Sequence, residues 1–174
     1  MNAHPYVTLA RRTVERYLAG EALPGGAEID PRSELWSVKR ACFVSIKTLP
    51  GDLRGCIGTV VPLRPSLDVE IIENAISSST RDPRFPPMTS SELSGVSFSV
   101  DVLGVPESVG DSASLDPKKW GIIVSKGALR GVLLPDLEGV DTVAEQIGIA
   151  ARKAGIYDIA GISIERFAVT RYKE

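Results

Sequence analysis

The residues best suited to chemistry in this chain cluster in Leu53-Arg54-Gly55-Cys56-Ile57-Gly58, where two glycines flank a thiol and an arginine stands two positions before it. On a strand, residues two apart share a face, so Arg54 and Cys56 are expected together. A neighbouring cation favours the thiolate, the nucleophilic form of cysteine. Glycine inside a strand weakens it unless a ligand or another backbone must approach, so Gly55 and Gly58 join Arg54 and Cys56 as candidate site residues. The plain alternative is a small buried strand residue, a common place for cysteine. A second constellation, Arg81-Asp82-Pro83-Arg84-Phe85-Pro86-Pro87, sets two arginines on a proline-stiffened segment, expected to be extended and rigid. Arg81 and Arg84 there suit a carboxylate or phosphate held by bidentate bonds. Asp82 is either a proton carrier for Cys56 or an orienter of the arginines.

Other chemistry is restricted by what the chain lacks. Its one histidine is His4, so a Ser-His-Asp triad and a His-based zinc site are excluded, and no carboxylate cluster has metal-ligand spacing. Nucleotide cofactors have no support, because no glycine-rich phosphate loop precedes a helix; no cofactor and no metal is expected. Cys42 and Cys56 form no C-x-x-C pair and read as free thiols. The balance of 20 basic against 22 acidic residues argues against nucleic-acid binding by bulk charge. No apolar run reaches the roughly 18 residues of a membrane span. The stretch from Met1 to Leu9 has no leader character, so a cytoplasmic protein is expected, monomeric in the absence of an exposed apolar stripe.

The elements that must position these residues follow from periodicity. Val7, Ala10, Val14, Tyr17 and Leu18 recur at helical spacing, predicting a helix over 6–19 ended by Gly20. A short helix is expected over 32–38, with Asp30 as its cap. Residues 41–48 and 53–61 read as a hairpin about Pro50-Gly51-Asp52, and Ser66 as the cap of a helix that runs to the polar stretch 77–80. Residues 96–105 read as a strand. A second hairpin spans 121–125 and 129–134; a helix then begins at Thr142, where Thr142 and Glu145 have capping-box spacing, and 162–172 reads as one closing strand.

The second half repeats the first. Leu53-Arg54-Gly55 returns as Leu129-Arg130-Gly131, and Gly95-Val96-Ser97-Phe98 aligns with Gly161-Ile162-Ser163-Ile164, each in the same order around a helix. The expectation is an α+β fold: two β/α subdomains from an internal duplication, with mostly antiparallel sheets flanked by helices and packed as one compact unit. The whole chain, 1–174, reads as one domain with approximate subdomains 1–106 and 107–174. Pseudo-twofold packing would bring Lys126 to Arg54, Arg81 and Arg84 in one basic cleft. Three readings stand open: a module binding a small anionic ligand or protein carboxylate in that cleft, an enzyme using Cys56 as nucleophile or redox thiol, or a purely structural scaffold.

Leu53-Arg54-Gly55-Cys56-Ile57-Gly58-Thr59, Asp82-Pro83-Arg84-Phe85-Pro86-Pro87 and Arg130-Gly131-Val132-Leu133-Leu134-Pro135 together resemble the AMMECR domain family, whose prokaryotic members are called AmmeMemoRadiSam system protein A. The resemblance covers about residues 6–172. It implies an α+β fold of two related subdomains and a pathway shared with Memo-type and radical-SAM proteins as partners. It implies no established reaction. Many relatives carry a longer segment where this chain has only the residues between Pro135 and Thr142.

Overall fold

The computed structural model describes residues 3–110 and 112–174, with the side chain of Ser112 left aside; Met1 and Asn2, part of the stretch read above for a leader, lie outside the described residues. The chain divides into two compact units. One runs to Val102 and takes back Arg171–Glu174; the other is Leu103–Thr170. The mixed α+β class is as expected, with two four-stranded antiparallel sheets.

In the first unit, α1 (Pro5–Ala19) begins with proline at its first turn, where a missing N–H costs nothing, and ends at Gly20, whose φ of 71° is the left-handed C-terminal conformation. Two single-turn helices follow, α2 (Gly26–Ile29) and α3 (Ser33–Trp36). The first of these is not among the elements expected from the sequence. The second is shorter than predicted and is not capped by Asp30, whose carboxylate is taken by the Arg32 N–H and guanidinium. Strands β1 (Cys42–Thr48) and β2 (Leu53–Gly58) make the predicted hairpin, with β2 ending three residues earlier than expected. Helix α4 (Leu67–Thr80) absorbs the polar run 77–80, and Ser66 turns its hydroxyl to Asp68 instead of capping the helix. A 3-10 helix (Ser90–Gly95) leads into β3 (Val96–Leu103).

Strands β1 to β3 are joined at the far edge by β8 (Val169–Lys173), in the order β2-β1-β3-β8. Alternation along β1 sends Cys42, Val44 and Ile46 into a core with Val7, Ala10 and Val14 of α1 and Leu67, Ile71 and Ala75 of α4. Phe43, Ser45 and Lys47 therefore point to the opposite face of the sheet.

The second unit contains β4 (Glu107–Ser108), β5 (Gly121–Lys126), β6 (Leu129–Leu133), α5 (Val143–Lys153) and β7 (Ser163–Phe167). Its sheet has the order β4-β7-β5-β6. Helix α5 starts with the capping box expected at Thr142 and Glu145 and packs Ala150 and Ala151 against Ile122, Val124 and Leu133. The predicted single closing strand is two: β7 and β8 are divided at Ala168 and belong to different sheets. Among the described residues no helix is long and apolar enough to cross a membrane.

Candidate functional site

Cys56 is half-buried on β2, an edge strand, and is held at three points. Its N–H donates to Asp82 Oδ2 at 2.9 Å, and its carbonyl accepts from Arg84 Nη2 at 3.3 Å. Its sulfur accepts a hydrogen bond from the Ser45 hydroxyl at 3.2 Å, and Ser45 is its partner in the β1–β2 register. The backbone contacts lie on the side of β2 away from β1, so the loop after α4 closes the open sheet edge at the cysteine.

That loop is shaped by Asp82. The expected extended segment is a turn instead: the Phe85 N–H reaches back to the Asp82 carbonyl at 3.1 Å. Asp82 accepts from Arg84 N and Nε through Oδ1, at 3.1 and 2.9 Å, and from Arg84 Nη2 at 2.7 Å and Cys56 N through Oδ2. An aspartate that folds the next residues back onto its own carboxylate overrides the extended bias of the prolines. The Asp82 side chain is 2% exposed. Hydrogen bonds from Arg84 hold its carboxyl well below the usual carboxylate range, against the opposing pull of burial, with the Cys56 N–H adding to the effect. Four donors on one buried, anionic carboxylate make Asp82 an orienter of Arg84 and of the Cys56 peptide. The Arg84 side chain itself is 54% exposed.

Arg54 is turned to a different partner. Its Nε and Nη2 meet Glu92 at 2.7 and 3.1 Å, and Nη2 also donates to the Pro86 carbonyl at 3.0 Å. Glu92 is the closing residue of a capping box with Thr89, and the Arg54 bonds hold its carboxyl below the ordinary value. Two guanidiniums lie over the Phe85 ring, that of Arg54 at 5.9 Å and that of Arg84 at 5.5 Å from its centre. The cation in contact with the Cys56 backbone is thus Arg84; Arg54 ties β2 to the loop.

The two motif glycines accommodate protein. A Cβ at Gly55 would lie 2.0 Å from the Ser78 carbonyl oxygen of α4, and one at Gly58 would lie 2.2 Å from the Phe43 ring. Arg81 caps the end of α4, exposed, with no side-chain partner among the described residues. Lys126 belongs to the second unit, where its Nζ is 2.8 Å from both the carbonyl and the carboxylate of Asp158. Ser45, Ser78 and Glu92 are the site residues that sequence reasoning missed. Only Glu92 had a local signal, the Thr89-x-x-Glu92 capping spacing; the serines are placed by strand register and helix packing.

The family model AMMECR1 matches residues 7–174. A Thermotoga maritima protein is 48% identical over 171 residues, covering 98% of each chain. A Clostridium acetobutylicum protein is 49% identical over 173 residues, covering 98% of this chain; the chain spans 36% of that relative's length. The crystal structure of uncharacterized protein PH0010 from Pyrococcus horikoshii is similar with a TM-score of 0.83 and 32% identity, covering 97% of this chain and 89% of that one.

Proposed function

This chain belongs to the AMMECR1 family, and from that premise we propose that its first unit is an enzyme site in which Cys56 acts as a nucleophilic thiol on a small substrate bearing an anionic group. The observation that carries the proposal is the three-point hold on Cys56: a hydroxyl on the sulfur, a carboxylate on the N–H and a guanidinium on the carbonyl. A hydrogen bond donated to sulfur stabilises thiolate over thiol, and a fixed backbone keeps the nucleophile in one orientation. Arg84, half-exposed beside the thiol, and Arg81, exposed at the end of α4, supply the positive charge for the anionic group. The test is the second-order rate of iodoacetamide alkylation at Cys56 in the native protein, in Ser45→Ala and in Arg84→Met. The proposal expects both variants to react more slowly while folded. Equal rates in all three would remove it.

A second reading, binding without covalent chemistry, is favoured by one feature: the exposed Arg84 guanidinium is already oriented by a buried carboxylate. It expects inorganic phosphate or a carboxylate to raise the melting temperature of the wild type and of Cys56→Ser alike, and to leave Arg84→Met unmoved.

The partners implied by the family resemblance, Memo-type and radical-SAM proteins, are retained as part of this proposal on that resemblance alone. Co-purification with such proteins tests it. The proposal also takes the two units as copies of one ancestor, supported by the contact of Gly55 with Ser78 and its counterpart at Gly131 and Ala150.

A further inference from the structure

We infer that Ser78 is a positioning residue for the Cys56 thiol, its hydroxyl tying α4 to both β1 and β2 at the pair beside it; the inference rests on the thiol reading above. The geometry begins at Gly55. With no side chain there, the last turns of α4 lie directly on β2, and the Ser78 carbonyl occupies the space a Cβ would need. This approach carries the Ser78 side chain into the sheet. Its Oγ accepts the Ile57 N–H at 2.8 Å and donates to the Val44 carbonyl at 2.7 Å. Val44 and Ile57 stand opposite each other in the β1–β2 register.

The Ser78 hydroxyl therefore adds a tie from α4 to both strands at this pair, within a β1–β2 ladder that stays in register there. Ser78 is 1% exposed, so water has no access to replace it. Fixing the backbone of both strands at one pair fixes the direction in which the side chains of the next pair leave the sheet. The adjoining pair is Ser45 and Cys56, whose hydroxyl-to-sulfur hydrogen bond depends on the separation of the two strands.

The second unit supplies an internal comparison. Gly131 of β6 sits under α5 as Gly55 sits under α4, with a Cβ there falling 1.9 Å from the Ala150 carbonyl oxygen. The helix residue at that contact is alanine, and among the described residues no hydroxyl enters the β5–β6 ladder. Packing a helix on a glycine of a hairpin thus works without the hydroxyl. The hydroxyl is present in the unit that carries the thiol.

The test is Ser78→Ala in the full chain, read by the rate of iodoacetamide alkylation of Cys56 in the folded protein at pH 7. Removing the hydroxyl frees β1 and β2 from α4 at the pair next to Ser45 and Cys56, which loosens the hold of Ser45 on the sulfur. The expected result is a fall of about tenfold in rate, the scale of one hydrogen bond to a charged group. A merely structural serine would lower the melting temperature and leave the folded-state rate unchanged. A reactive wild-type Cys56 with a rate within twofold in Ser78→Ala overturns this inference and leaves the thiol reading standing. An inert wild-type Cys56 overturns both. If Ser78→Ala does not fold, Ser78→Thr carries the test: it retains the hydroxyl, so a wild-type rate supports the inference, and a folded variant with an inert Cys56 contradicts it.

Discussion

Replacing Asp82 by asparagine keeps volume and shape while removing the charge that organises the site. Each carboxylate oxygen serves two donors: Oδ1 takes Arg84 N and Nε, and Oδ2 takes Cys56 N and Arg84 Nη2. An amide offers one oxygen, so in either orientation an NH2 group faces two donors. Hydrogen bonds to charged groups contribute about 1.5–3 kcal/mol each. Water compensates much of the loss at Arg84, which is 54% exposed, whereas Asp82 itself has no such access. The expected cost of Asp82→Asn at neutral pH is therefore about 2–4 kcal/mol. For a chain of this length that is a drop of roughly 5–15 °C in melting temperature. The folded carboxyl titrates below its unfolded value, so its contribution is full above the unfolded pKa and is lost as pH falls from about 4 downward. Urea unfolding of both proteins at pH 7 and at pH 3 is the assay. The reasoning predicts a wide gap at pH 7 that narrows in acid. A difference below about 0.5 kcal/mol at pH 7, the range of ordinary surface changes, would refute it.

Three further outcomes are expected. Gly55→Ala and Gly131→Ala should each cost about 1–3 kcal/mol or more, since the new methyl meets helix backbone that cannot rotate away; Gly95→Ala, with open space around it, should stay within about 0.5 kcal/mol. His4 caps α1 by accepting the Tyr6 N–H on Nδ1, and burial, then Arg32, lower its pKa against the influence of Asp30. Its contribution is therefore present above pH 6.5 and lost as pH falls below it, so the wild type should lose melting temperature between pH 7.5 and 5.5 relative to His4→Asn; a pH-independent difference would count against this. Burial pushes the Cys42 thiol up to about 12, so it should stay unmodified at pH 8 until the unit unfolds, and mass spectrometry of the labelled native protein checks this.

The α+β class and both hairpins were legible because their signals are local: apolar spacing along α1, turn residues between β1 and β2, and the Thr142–Glu145 capping box. The closing strand was read as one because a short alternating run carries no information about which sheet takes each half. The segment after α4 was read as extended from its prolines, while the deciding residue was Asp82, whose carboxylate folds the turn. The sequence named Arg54, Cys56, Asp82 and Arg84 as candidates, and their pairing was illegible in it. Arg54 and Cys56 share a motif, yet the arginine bonds Glu92 from the helix before β3, and Arg84 reaches the cysteine instead. Ser45 and Ser78 gave no signal, since a serine on a strand or at a helix end is ordinary until register and the glycine contact place it against the thiol.

The most direct test of the thiol reading is the alkylation rate of Cys56 in the native wild-type protein at pH 7, set against the same residue in the urea-unfolded chain. The account predicts faster reaction in the folded protein, because Ser45 and Arg84 hold the sulfur and its backbone in one orientation there. A Cys56 that reacts only after unfolding would contradict it, and the motif would then be a device for seating α4 on β2.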